Sequence, residues 1–170
     1  MIFEKPSQTE RKELVVVDAG KYEVTVNAKR KPKKNGDGEN LLVCYHIRED
    51  VEQPFKGEAV FEFIAKDKKN PDWFDMKKLA ALLYTQENTK GFNPEFGEGA
   101  EGQDEYIQYI NGIHCTIEVT KEYDSYRDDD VNKVVYLSYR ESEWDKTHPV
   151  GGETAAKTEE ETVTSDDIWF

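Results

Sequence analysis

The chain has 170 residues, 35% of them charged, with a formal net charge of -13 and a mean hydropathy of -0.85. That length suits one domain with tails, and no apolar run approaches the roughly 18 residues of a membrane span. Two cysteines, Cys44 and Cys115, make no disulfide framework and suit a reducing compartment, while the start, Met1-Ile2-Phe3-Glu4-Lys5-Pro6, lacks the apolar stretch of a signal peptide. The expected address is cytoplasmic.

An acidic chain taken whole argues against a nucleic-acid binder, but the charge is unevenly spread. Residues 143–170 hold eight acids and two lysines, a net -6 of the -13, which leaves -7 for the body. Within the body, residues 95–105 carry five acids and no base. Residues 29–34, Lys-Arg-Lys-Pro-Lys-Lys, carry five bases and no acid.

In chain order, residues 1–13 are polar and read as a flexible arm. Leu14-Val15-Val16-Val17 is a short apolar run closed by Asp18-Ala19-Gly20. Tyr22, Val24, Val26 and Ala28 then alternate with Glu23, Thr25 and Asn27, the period of a half-buried strand. The basic run follows as a loop, ending in the turn Asn35-Gly36-Asp37-Gly38. Residues 41–48 predict a second strand with Leu41, Val43, Tyr45 and Ile47 on one face, and residues 57–65 a third.

The period then changes. Asn70 can cap a helix, Pro71 fits its first turn, and Asp72 and Asp75 favour its positive end. Trp73, Met76, Leu79, Ala80 and Leu83 recur at helical spacing, predicting one amphipathic helix over 71–86 with Trp73 in the core. An acidic, glycine-rich flexible loop comes next. Ile113, Cys115, Ile117 and Val119 mark a fourth strand, and Val135, Leu137 and Tyr139 a fifth, with a polar loop of residues 121–133 between them.

Three strands, a helix and two strands is the order of the OB-fold. The expected fold class is therefore all-β with one helix: a five-stranded OB-fold barrel over 14–142, followed by a disordered acidic tail, 143–170. OB-folds bind oligonucleotides across strands two and three and with the loops joining strands 1–2 and 4–5. Those loops here are the basic run and the Tyr123/Tyr126/Arg127 segment.

The tail ends Ser165-Asp166-Asp167-Ile168-Trp169-Phe170, an apolar tip on a tether too polar to bury it. It resembles the acidic tail and tip of bacterial single-stranded-DNA-binding proteins, with Trp169 where that pattern has proline. A second resemblance covers residues 14–141. Gly20-Lys21-Tyr22-Glu23-Val24, Phe55-Lys56-Gly57 and Asn111-Gly112 look like a family of small phage proteins described as uncharacterised or as single-stranded-DNA-binding. The resemblance implies an OB-fold, single-stranded DNA as ligand, and a C-terminal hook for replication or recombination proteins made of Asp166, Asp167, Ile168, Trp169 and Phe170.

Candidate DNA contacts are Lys29, Arg30, Lys31, Lys33 and Lys34 for phosphates, with His46, Arg48, Lys121, Arg127 and Arg140 as further polar contacts. Stacking platforms come from Tyr123 and Tyr126, which lie in a polar loop, and from Tyr136 on the face opposite Val135, Leu137 and Tyr139. Among the strand aromatics, Tyr45, Phe61 and Phe63 are further candidates, with Phe61 and Phe63, which share one face, reading more as core than as platform. Gly97-Glu98-Gly99-Ala100-Glu101-Gly102 matches G-x-G-x-x-G, but it has no strand before it and its carboxylates repel phosphate. Cys44, His46, His114 and Cys115 cannot easily converge on one zinc ion, because positions 114 and 115 point to opposite faces. No cofactor, metal or catalytic constellation is expected.

The function expected is sequence-independent binding and protection of single-stranded DNA in phage replication or recombination, in the cytoplasm of a bacterial host, with a possible homodimer. The alternative is an acidic adaptor or DNA-mimicking inhibitor that binds proteins only.

Overall fold

The computed structural model describes residues 2, 15–34, 36 and 38–148. The N-terminal arm, apart from Ile2, and the C-terminal tip lie outside them. Six strands form one antiparallel sheet: β1 (Gly20–Pro32), β2 (Glu39–Ile47), β3 (Ala59–Ile64), β4 (His114–Asp124), β5 (Asp129–Val134) and β6 (Arg140–Glu141). Three helices accompany it: α1 (Met76–Leu83), α2 (Gly99–Ile110) and α3 (Glu143–Thr147). None is long and apolar enough to cross a membrane.

Strand order is β3-β2-β1-β4-β5, with β6 paired to β4. The sheet is open by its hydrogen bonds, so the closed five-stranded barrel expected above is not what the described residues form. β3 and β5 nevertheless come close to each other. Beside this approach, Glu62 of β3 accepts the hydroxyls of Tyr45 in β2 and of Tyr139 after β5, each at 2.7 Å, and meets the Lys78 ammonium of α1 at 3.3 Å. Burial, and then the Glu62 charge, hold both phenols protonated well beyond their ordinary range.

The period of two sets the core. Tyr22, Val24, Val26 and Ala28 of β1 face inward with Leu41, Val43, Tyr45 and Ile47 of β2, Val60 and Ile64 of β3, and Cys115, Ile117 and Val119 of β4. Each fully buried aliphatic side chain contributes roughly 1.5–3 kcal/mol. Leu79, Leu82 and Leu83 of α1 and Tyr106 and Ile110 of α2 join the same core. The Tyr106 hydroxyl donates to the Leu79 carbonyl at 2.7 Å and fixes one helix on the other.

Five expectations are corrected. The helix expected over 71–86 starts at Met76 with Asp75 as its cap, accepting from the Lys77 and Lys78 N–H groups at 3.0 and 3.3 Å. The Asp67 carboxylate takes the Lys69, Asn70 and Met76 N–H groups, which holds Asn70 and Pro71 in a turn and leaves Trp73 only partly buried. The glycine-rich loop is in fact the start of α2. Gly102 lies against Gly97 so closely that a Cβ would meet the Gly97 oxygen at 1.7 Å, so glycine there serves packing rather than flexibility.

The polar loop of 121–133 is largely ladder, since β4 runs on to pair Glu122 with Val131 and Asp124 with Asp129. Residues 135–139, expected as strand, form a turn after β5 with Leu137 at φ 53°. Lastly, residues 143–147, assigned to the tail, form α3, capped by Ser142, whose Oγ accepts the Asp145 N–H at 3.1 Å.

α3 is held by a buried polar node. The Glu23 carboxylate accepts the Thr116 hydroxyl (3.0 Å), the Ser142 hydroxyl (2.5 Å) and the N–H groups of Glu143 and Trp144 (3.0 and 3.3 Å). Arg48, 3% exposed, reaches Asp145 at 2.9 Å, Asp50 at 2.7 Å and Glu23 at 3.8 Å. His114 Nδ1 lies 2.8 Å from the second Asp145 oxygen. The hydrogen bond from Arg48 holds Asp50 below the usual carboxylate range, against its desolvation. For Asp145, burial pushes upward, but His114 and then Arg48 outweigh it.

Replacing Arg48 with Ala leaves the buried Glu23 carboxylate without its guanidinium and unpairs the partly exposed Asp50 and Asp145, and should cost about 1–3 kcal/mol of unfolding free energy, read as a lower denaturant midpoint at unchanged slope. Because Asp50 and Asp145 are depressed in the folded state, their contribution is complete above about pH 4 and lost as pH falls through their folded values. An acid titration of stability should show that loss, and Arg48→Met should flatten it. Gly102→Ala should lower the melting temperature by more than Ala100→Gly does, since only the first requires backbone to move.

Candidate nucleic-acid interface

The outward faces of β1, β2 and β3 follow directly from the core. If Val24, Val26 and Ala28 point in, then Asn27, Lys29 and Lys31 point out, and the same holds for Leu42, Cys44 and His46 on β2 and for Phe61 and Phe63 on β3. Register aligns them in rows. Lys29 stands opposite Leu42, which stands opposite Phe63; Asn27 opposite Cys44, then Phe61; Thr25 opposite His46, then Ala59.

Phe61 is 40% exposed and Phe63 55%. Both were expected in the core, and the error has an identifiable source. In the run Val60-Phe61-Glu62-Phe63-Ile64, the only charged residue looks like the outward one. It points inward instead, because two tyrosine hydroxyls and a lysine satisfy it there, and the phenylalanines take the other face. Tyr45, a stacking candidate, is completely buried. Leu42 and Cys44 form a half-buried floor between the rings and the lysines, and burial pushes the Cys44 thiol up from its usual value.

The basic run is strand before it is loop. Lys29, Arg30 and Lys31 pair with Leu42, Leu41 and Asn40, so alternation sends Lys29 and Lys31 out and Arg30 to the other side. Arg30 is committed to the fold. Its guanidinium bonds Asp104 at 2.9 Å, the Ala100 carbonyl at 3.2 Å and Glu39 at 3.3 Å, tying β1 to α2. Lys33 and Lys34 sit exposed in the turn, which is closed by Lys33 N–H to the Gly38 carbonyl at 3.0 Å. Among the described residues Lys29, Lys31, Lys33 and Lys34 make no ion pair.

The remaining sequence candidates are scattered. His46 is exposed at the end of the β2 row. Arg48, the next outward cation expected, belongs to the buried node and cannot reach a ligand without unpairing Asp50 and Asp145. Lys121 pairs with Asp18 at 3.6 Å and Arg127 with Asp124 at 3.9 Å. Tyr123 and Tyr126 are 62% and 96% exposed, but carboxylates of Asp124, Asp128, Asp129 and Asp130 surround them. The Tyr123 hydroxyl donates to Asp128, which raises the phenol above its ordinary value. Such surroundings repel phosphate. Tyr136 is 60% exposed with the Lys78 ammonium 6.0 Å from its ring centroid. Arg140 Nη1 donates to the Leu137 and Tyr139 carbonyls at 2.8 Å each, bracing the turn after β5.

The four zinc-type residues divide as their positions demand. Cys115 is wholly buried on the inner face, His114 joins Asp145, and Cys44 and His46 lie on the outer one. Among the described residues no cluster of His, Cys, Asp or Glu is arranged to hold a metal ion. The structure thus brings together Lys29, Lys31, His46, Phe61 and Phe63 on one face, with Lys33 and Lys34 at its rim. Set against known proteins, the chain matches no protein family and no curated sequence.

Proposed function

We propose that the outward face of β1–β3 binds single-stranded nucleic acid, with bases stacked on Phe61 and Phe63 and phosphates near Lys29 and Lys31. One observation carries this reading: two exposed aromatic rings on a sheet face that also carries exposed lysines two strands away, with Phe63 in register with Lys29 and Phe61 in register with Asn27. Neighbouring strands lie about 4.8 Å apart, so Lys29 stands about 10 Å from Phe63, within a nucleotide's span. Phe61 and Phe63 leave 40% and 55% of their surface in solvent that packing does not use, and stacking there gains about 1–3 kcal/mol per base for any sequence.

The strand order supports the OB-fold reading. With β3 and β5 brought side by side, β1-β2-β3-β5-β4 follows the circuit of that barrel, a fold that is itself partly open and binds on strands two and three. In this reading Glu62 ties β3 to β2 through Tyr45 and to the segment after β5 through Tyr139, beside a β3–β5 approach that has no ladder. The ligand class is single-stranded DNA, bound without sequence preference, and the role is protection during phage replication or recombination. Recruitment of partner proteins by Asp166, Asp167, Ile168, Trp169 and Phe170 belongs to the same proposal, on residues outside the described ones. The protein-only adaptor is favoured by one observation, the acidic surface of the β4–β5 hairpin.

Titration with labelled oligo-dT and with duplex of equal length separates the two readings. The proposal expects oligo-dT to bind and duplex to bind far more weakly; an adaptor binds neither. Phe61→Ala and Phe63→Ala should each lose about 1–3 kcal/mol of affinity, roughly 5- to 150-fold, while the protein stays folded with only a small drop in melting temperature. Lys29→Ala and Lys31→Ala should each reduce the salt slope by about 0.7. Tyr126→Ala should bind as the parent does. Normal affinity in both phenylalanine variants would place the ligand elsewhere.

A further inference from the structure

Two hairpins leave the sheet at opposite ends of the β1–β4 ladder, and their chemistry is complementary. The ladder runs from Thr25 opposite His114 to Gly20 opposite Val119. Past its first end, β1 continues with β2 alone into the turn bearing Lys33 and Lys34. Beyond the other end, β4 continues with β5 alone into the turn bearing Tyr126. Residues 29–38 hold five bases and one acid, whereas residues 121–133 hold five acids and three bases, so the first pole is net basic and the second net acidic and aromatic. At the acidic pole Tyr126 is 96% exposed, with Asp129 and Asp130 exposed on the adjoining strand. Neither tyrosine of this hairpin is explained by the core, and the carboxylates beside them make a poor surface for phosphate.

We infer that the acidic, tyrosine-bearing β4–β5 hairpin of one copy docks on the basic β1–β2 turn of a second copy, so that chains associate head to tail. Because the two surfaces differ and lie at opposite poles, the contact is heterologous and does not close on itself as a two-fold dimer does. A row of copies results. Tyrosine supplies contact area at low entropic cost, and the lysines meet carboxylates across a rim where charge steers the encounter. Attraction between exposed charges weakens within a Debye length of about 8 Å at physiological salt, so the assembly is salt-sensitive. Lys29 and Lys31 lie on the sheet face rather than in the turn, and the contact leaves that face open. The inference does not depend on nucleic acid.

Nuclease-treated full-length chain, measured by sedimentation equilibrium over a concentration series, tests it. At about 20 mM salt the average mass should climb with concentration past that of two chains, and in 0.5 M salt it should return to one. Lys33→Glu with Lys34→Glu makes both poles acidic, and Asp129→Lys with Asp130→Lys makes both basic. Each double variant should stay at the mass of one chain, while their equimolar mixture should recover the parent's behaviour. Tyr126→Ala, at a fully exposed position, should reduce association without altering the melting curve. A parent that remains a single chain at low salt overturns the inference. So does a mass that stops at two chains, or assembly by either charge variant alone.

Discussion

Glu23 is a carboxylate drawn into the protein, where four donors and a nearby guanidinium meet it. Its partners come from β4, from the residues around the start of α3, and from Arg48 just after β2. A buried acid of this kind is costly unless every lone pair is met, so the segments that meet it are obliged to converge. α3 is thereby laid over the outward face of β1 and β4 at one end. Beyond that cover, β1, β2 and β3 present the same face to solvent. The node decides which half of a continuous sheet is closed and which half is available.

The available half derives its specificity from register. A slip of one residue in β3 would bury Phe61 and Phe63 and expose Val60, Glu62 and Ile64. The pairing of Tyr45 and Tyr139 with Glu62 opposes that slip, because moving Glu62 outward would strand two buried hydroxyls. An inward acid and two outward aromatics are thus one arrangement. Charge is partitioned in the same manner. Arg30 is consumed by α2, while its neighbours Lys29 and Lys31, one residue away on either side, remain free for a ligand.

Much of the sheet was legible in the sequence because strands with one buried face alternate cleanly. The run from Tyr22 to Ala28 and that from Leu41 to Ile47 gave their inward faces correctly, as did Cys115, Ile117 and Val119. What failed was local inference where tertiary partners override propensity. Asp67 delays the first helix by accepting three backbone N–H groups, a contact no periodicity reveals. Gly97 and Gly102 read as loop, although their meaning is close approach. α2 itself is weakly patterned, with Tyr106 and Ile110 its main apolar anchors. Arg48 looked like a ligand-binding cation because nothing near it in sequence predicts Asp145, 97 residues away. Phe61 and Phe63 were placed in the core for want of a reason to bury Glu62.

The connectivity also bears on how the chain assembles. β1, β2 and β3 form a meander whose strands follow one another directly in the chain, so the face carrying Lys29, His46, Phe61 and Phe63 can be specified by contacts between sequence neighbours. β1–β4 pairing, by contrast, joins Gly20 to Val119 and must close a loop of nearly a hundred residues. Loop-closure entropy makes such pairings late and slow. The meander would then exist before the core beneath it is sealed, with its inner face still open to water. Substitutions within β2 and β3 should therefore act on the folding rate, and those around Ser142 and Asp145 mainly on the rate of unfolding.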